Sequence, residues 1–280
     1  MQSPAGRAIG SPMTRMGRVL IIAGSDSGGG AGVQADIKTV TALGGYATSA
    51  ITAVTVQNTL GVSGVHPIPI DVIRAQARAV LDDIGADALK TGMLGDRATV
   101  ASVAAVLASV DAPAVVDPVM VAKGGAALLA GDAIDAVREL LLPQAALLTP
   151  NAPEAEALTG LAVQNADDQR RAGEALLKLG ARAVLMKGGH VPGETVVDIL
   201  ITPGGETSFE GPRLQTRHTH GTGCTLASAC ATGLAQGLGL TDAVARAWAY
   251  VHEAILNAPG LGQGHGPLDH GWPLRKGQGT

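Results

Sequence analysis

The chain has 280 residues, a formal net charge of −4, and 46% hydrophobic against 16% charged residues, which is ample material for a core and excludes a disordered chain. An aromatic content of 2%, with no Lys/Arg-rich stretch, excludes a stacking platform or basic groove for nucleic acid. No apolar run approaches the roughly 20 residues of a membrane-spanning helix, and two cysteines form neither a disulfide framework nor a zinc site, so composition predicts a soluble cytoplasmic protein.

Residues 1–17 lack periodicity and read as a flexible N-terminal tail. Short apolar runs then predict strands at 18–23, 47–54, 62–67, 88–91, 114–116, 146–148, 183–186 and 196–201. Amphipathic stretches predict helices at 32–43, 70–84, 97–108, 132–141, 152–158, 167–179, 222–236 and 241–257. The Gly- and Pro-rich stretch at 259–280 reads as irregular. Glycine is abundant at 39 residues, about twice the usual ~7%, which predicts tight turns and close backbone approach. Near-continuous apolar strands alternating with helices predict an α/β fold, a mostly parallel sheet covered on both faces. No linker splits the chain, so one three-layer domain is expected. Such sheets bind ligands beyond the carboxyl ends of their strands, and the loops there hold the candidate residues.

The first such loop, Gly24-Ser25-Asp26-Ser27-Gly28-Gly29-Gly30-Ala31-Gly32, follows a strand and opens a helix, where backbone N–H groups receive an anion or polar ligand. Its Gly30-Ala31-Gly32-Val33-Gln34-Ala35 formally matches G-x-G-x-x-A, but the acid of a dinucleotide site is missing: after Asp36 the next acid is Asp71. A P-loop motif is absent too. Asp36 opens the first helix and reads either as a solvated face or as a site carboxylate. Gln57 ends the second strand; it is a turn former or an amide that both donates to and accepts from a heteroaromatic ring.

Asp117, the run Thr149-Pro150-Asn151-Ala152-Pro153-Glu154, and Lys187-Gly188-Gly189 each follow an apolar strand. Carboxylates plus a lysine on one sheet edge suit Mg–nucleotide chemistry. Asn151 and Glu154 also fit a helix cap and its partner three residues on. Last comes Thr219-His220-Gly221-Thr222-Gly223-Cys224-Thr225, before a helix. Its N–H groups suit a phosphoryl group in transfer. Cys224 stands in the first turn, which lowers a thiol pKa; the competing reading is a small buried hydrophobe. Cys230, among alanines, reads as the latter, and His220 as a loop residue.

Taken together, seven ordered motifs carry a resemblance. They are Ala23-Gly24-Ser25-Asp26 with Gln34-Ala35-Asp36-Ile37-Lys38-Thr39, Val56-Gln57-Asn58-Thr59, Lys90-Thr91-Gly92-Met93-Leu94, Asp117-Pro118-Val119-Met120, Thr149-Pro150-Asn151 with Glu154, Met186-Lys187-Gly188-Gly189-His190, and Thr219 through Thr225. Over about residues 18–270 the chain resembles the bacterial hydroxymethylpyrimidine/phosphomethylpyrimidine kinases of thiamine biosynthesis, in the ribokinase superfamily. The resemblance implies a ribokinase-like domain at 18–270, followed by a short tail at 271–280. It implies a kinase that uses ATP and Mg²⁺ to phosphorylate 4-amino-5-hydroxymethyl-2-methylpyrimidine and then its monophosphate. Asp36, Gln57 and Met93 would line the pyrimidine pocket. Cys224 would stand where most of the superfamily has an aspartate base, with Gly221, Thr222 and Gly223 as the anion hole. Lys187 and Asn151 would serve the ATP phosphates, and Asp117 and Glu154 the metal. The partners implied are the pyrimidine and ATP, with no nucleic acid and no membrane, and with homo-oligomer formation left open. Ser27, Gly29 and Gly124 depart from the usual pattern. A pyridoxal or pyridoxine kinase and a non-catalytic pyrimidine-binding sensor are the rival readings.

Overall fold

The computed structural model describes residues 15–120, 128 and 131–276; most of the expected N-terminal tail, Gly124, and the end of the C-terminal tail lie outside them. The first strand, β1 (Arg18–Ser25), shows how the core is built. Val19 through Ala23 are at most 1% exposed. Because side chains alternate across a strand, Val19, Ile21 and Ala23 enter one apolar cluster and Leu20 and Ile22 the other. Both faces of the sheet are thus covered, as expected.

The remaining strands are β2 (Tyr46–Asn58), β3 (Gly61–Pro67), β4 (Ala88–Thr91), β5 (Ala114–Val116), β6 (Ala145–Leu148), β7 (Val184–Met186), β8 (Thr195–Thr202) and β9 (Gly205–Pro212). Among the described residues they form one sheet in the order β3-β2-β1-β4-β5-β6-β7-β8-β9. The pairings from β2 to β7 are parallel. Antiparallel hairpins close the two ends. The chain leaves β1 outward to β2 and returns to β4 on the other side. Such a reversal, here between the loops after β1 and β4, is where open α/β sheets bind ligands.

The helices are α1 (Gly32–Ala42), α2 (Ile70–Asp83), α3 (Arg97–Ala108), α4 (Gly131–Ala136), α5 (Ala152–Thr159), α6 (Ala166–Lys178), α7 (Thr222–Ala235), α8 (Leu240–Leu256) and α9 (Trp272–Lys276). Helices α2 to α6 pack on one face through residues such as Ala77, Val103, Ala136, Leu158 and Leu176. Helices α1, α7 and α8 cover the other through Val40, Ala229 and Val244. Helix α7 is made largely of Ala, Gly, Ser, Thr and Cys. Small residues bring its backbone close: a Cβ on Gly233 would sit 2.7 Å from Cβ of Ala243 on α8. Among the described residues, no helix is long and apolar enough to cross a membrane.

Four elements differ from expectation, one of them α9, a short helix in the 259–280 stretch expected to be irregular. The helix at 132–141 is α-helical only to Ala136, then widens into a π-turn over Val137–Leu141 and a 3₁₀ turn over Leu142–Gln144. Pro143 in that last turn cannot donate to a continuing helix. Strand β2 runs to Asn58 because β3 pairs along it. Strand β9 was not anticipated: Gly-Glu-Thr-Ser-Phe-Glu-Gly-Pro carries no alternating apolar pattern and is held by its ladder to β8.

The stretch after 259 is tied down at several points. The Tyr250 hydroxyl donates to the His270 carbonyl at 2.7 Å, and the Trp272 ring nitrogen to the Tyr250 carbonyl at 3.2 Å. The His270 ring lies 3.0 Å from the Thr225 hydroxyl and is 4% exposed. Burial pushes it down to about 4. The folded protein therefore keeps His270 neutral where the unfolded chain protonates it. Its stability should be full above pH 6.5 and fall as pH drops from 6.5 to about 4, by up to about 3 kcal/mol. Urea titrations over that range should show the slope, and His270→Asn should remove its own share of it.

Candidate active site

The loop after β1 is organised by one carboxylate. Asp26 accepts from the Gly28, Gly30 and Ala31 N–H groups at 2.8, 3.1 and 2.8 Å. Burial opposes its charge, but His220 and these N–H groups outweigh that and hold Asp26 below the usual carboxylate range. His220 Nε2 lies 2.9 Å from Asp26 Oδ2 and 3.2 Å from the Gln57 side-chain amide. Gln57 is fixed further, since its N–H donates to the Ser27 hydroxyl at 2.8 Å and that hydroxyl donates back to its carbonyl at 2.7 Å. Met93 lies against the same loop: a Cβ on Gly24 would be 3.0 Å from its sulfur.

The second glycine loop rests on the first. Gly221 has φ +86, and a Cβ there would be 1.8 Å from the Gly30 carbonyl oxygen. Only glycine fits, for space and for conformation. Gly221 is the N-cap of α7 and brings no capping side chain. The first N–H groups of a helix lack intrahelical acceptors, so Thr222, Gly223 and Cys224 begin the helix with N–H groups suited to an anion, that of Thr222 being held only by a long 3.4 Å bond to the Thr219 carbonyl.

The charged groups expected on one edge do converge. Lys187 Nζ is 2.9 Å from Asp117 and 3.6 Å from Glu154. The Thr149 hydroxyl donates to Asp117 at 3.1 Å. A Cβ on Gly223 would be 3.1 Å from Lys187 Nζ and 3.6 Å from Asp117 Oδ2, which puts the trio beside the start of α7. Asn151 and Glu154 form a full capping box on α5, so the cap reading and the place beside Lys187 hold together. Burial, then the charge of Asp117, drives Glu154 up to about 7 against the pull of Lys187.

A cavity of about 480 Å³ opens here. Asn151, Lys187, Thr222 and Gly223 line one part of it, and Leu226, Trp248, Val251 and Ile255 another. The Trp248 ring stacks on His252 at 5.6 Å. Gln57 and Met93 lie instead against residues 24–28. The start of α7 thus has the cavity and its charged groups on one side and the first loop, with Gln57 and Met93, on the other.

Two readings of single residues change. Asp36 is neither on a solvated face nor on the pocket wall: it is 0% exposed, with both oxygens on Lys90 at 2.9 and 3.0 Å and Ser228 donating at 2.7 Å. Cys224 is half-buried, and desolvation pushes its thiol up to about 11, so the helix start does not yield a thiolate. Cys230 is fully buried, a small hydrophobe. Sequence reasoning missed Asp26 as the loop's organiser, although it was the loop's one acid. It missed Lys90, a lysine in an apolar strand. It also missed Asp198, which accepts from the Gly188 N–H at 2.7 Å and lines the cavity; burial drives it up to about 6.

Residues 26–269 match the phosphomethylpyrimidine kinase family model. A hydroxymethylpyrimidine/phosphomethylpyrimidine kinase of Streptomyces coelicolor is 54% identical over 256 residues, spanning 91% of this chain and 95% of that one. A solved phosphomethylpyrimidine kinase of Clostridium difficile superposes with a TM-score of 0.76 at 43% identity, covering 85% of this chain and 99% of that one. A Bacillus subtilis pyridoxal kinase in complex with ADP gives 0.86 at 37% identity, covering 93% and 99%.

The Gly221 contact gives a test. Gly221→Ala forces a strained backbone and parts the two loops, so calorimetry should find ADP binding weakened at least about tenfold. Far-UV circular dichroism should stay unchanged.

Proposed function

The chain belongs to the phosphomethylpyrimidine kinase family, and from that premise we propose that it transfers the γ-phosphoryl group of ATP to the hydroxymethyl group of 4-amino-5-hydroxymethyl-2-methylpyrimidine, then adds a second to the monophosphate. The observation that carries this reading is the open N-terminus of α7 beside Lys187, with Gln57 and Met93 held against the first loop.

In the proposed reaction the alcohol oxygen attacks the γ-phosphorus, the bond to the β-phosphate oxygen breaks, ADP leaves and the alcohol proton is released. The N–H groups of Thr222, Gly223 and Cys224 hold the phosphoryl oxygens without reorganising water. Lys187 and Asn151 steady the nucleotide's phosphates. The apolar wall with Trp248 takes the base. Gln57 orients the pyrimidine ring through its amide, and Met93 packs against it. Cys224, a neutral thiol at pH 7, hydrogen-bonds the acceptor hydroxyl rather than waiting as a formed base. A loose transition state asks little of a base.

Mg²⁺ fits the carboxylates of Asp117 and Glu154. They lie buried around one lysine, and the charge of Asp117 helps keep Glu154 up near 7. Among the described residues no cluster of three or more His, Cys, Asp or Glu forms a cage. These carboxylates would thus hold the ion jointly with phosphate oxygens, as is usual for Mg²⁺. Bound there, it would neutralise charge on the phosphates. The kinase unit on this reading spans residues 18–270, in a cytoplasmic setting where ATP is found and thiols stay reduced. ATP and the pyrimidine are its partners.

Pyridoxal is the rival acceptor, favoured by the fit to the Bacillus subtilis pyridoxal kinase at 37% identity. The higher identity to pyrimidine kinases, 54% for the Streptomyces coelicolor protein, supports the pyrimidine as the better substrate. A binding-only sensor would have no use for the phosphate-handling half of the site.

Incubation with Mg-ATP and the pyrimidine alcohol should yield mono- and diphosphate by mass spectrometry, with a higher kcat/KM than on pyridoxal. The reverse preference would overturn the substrate assignment. Cys224→Ala should lower kcat by about 10²–10⁴-fold. Gln57→Ala should raise KM for the pyrimidine and leave KM for ATP unchanged.

A further inference from the structure

Beneath the start of α7 lies a buried ion pair that none of the roles above employs. Lys90 leaves β4, Asp36 comes from α1 and Ser228 from α7. The Lys90 ammonium is 2.9 Å from Asp36, and both side chains are 0% exposed. Ser228 donates to Asp36 at 2.7 Å. Burying two ions is costly, and an apolar pair of equal volume would often serve a fold as well or better. The placement of the pair points elsewhere. Ser228 is four residues after Cys224, so the pair sits one turn below the thiol on the same face of α7.

We infer that Lys90, clamped by Asp36, which Ser228 holds in turn, is a positioning residue that tunes how readily the Cys224 thiol takes negative charge; this rests on Cys224 facing the acceptor alcohol. The charged groups around the sulfur are Lys90 from β4, Asp36 from α1, Asp117 after β5 and Lys187 after β7. Burial is the strongest influence and favours the thiol. Lys90 pulls toward the thiolate, and Asp36 and Asp117 push back. The balance has a chemical purpose. A permanent thiolate would repel the incoming phosphoryl group. A thiol with no cation nearby would resist gaining negative character as the alcohol oxygen bonds to phosphorus.

The test reads the sulfur itself. In a Cys230→Ala background, the pH profile of iodoacetamide alkylation reports on Cys224. Asp36→Asn frees the Lys90 charge and should shift the profile down by about one unit, with about tenfold faster reaction at pH 8. Lys90→Met should shift it the other way by a similar amount. If that variant does not fold, the uncharged Lys90→Met/Asp36→Asn pair replaces it, and its profile should lie above that of Asp36→Asn. A merely structural role would loosen the site and speed alkylation in both single variants. Profiles that move together, or not at all, overturn the inference. The readout needs no turnover: opposite shifts in a protein that phosphorylates neither alcohol would fault the kinase reading and leave this one standing.

Discussion

The contact between the Gly221 position and the Gly30 carbonyl governs the site. Two loops from distant parts of the chain meet backbone to backbone, with no room for a side chain. On the proposed reading, that closeness sets the distance between the acceptor ring and the phosphate. Asp26 reinforces it by gathering three N–H groups of the first loop and binding His220 of the second. Phosphoryl transfer depends on placing two reactants within reach. Here a backbone contact does the placing, and the side chains around it refine direction and charge.

Electrostatics near the start of α7 are arranged in layers. Lys187 stands with Asp117 and Glu154 on the cavity side, and Lys90 stands with Asp36 inside the protein. Each lysine is tied to a carboxylate, which keeps it charged and fixed. The sulfur between these layers feels both, and burial keeps it neutral. Cys224 is therefore better described by its surroundings than by its place in the first helical turn.

Much of the architecture was legible because apolar runs report burial directly. Val19 through Ala23 read as a strand covered on both faces, and they are. Chemistry-bearing residues were legible where they followed such runs: Asp117, Glu154 and Lys187 were read from position alone and do converge. Illegible features are those that depend on distant partners. Strand β9 exists because β8 offers it a ladder. Asp36 read as a solvated acid or a pocket carboxylate because nothing local shows that Lys90 lies across from it. The apolar wall around Trp248 comes from elements that no short motif connects.

The crossing of segments far apart in sequence has a consequence for biosynthesis. The His220 N–H donates to the Gly266 carbonyl at 3.1 Å, and the His265 N–H to the Thr59 carbonyl at 2.8 Å. The stretch around 265 thus staples the β2–β3 hairpin tip to the loop before α7. A ribosome delivers that stretch after every strand of the sheet, at about 5–20 residues per second. A nascent chain could assemble the central sheet while its two half-sites stay unjoined. The two loops are joined by chain made after both of them.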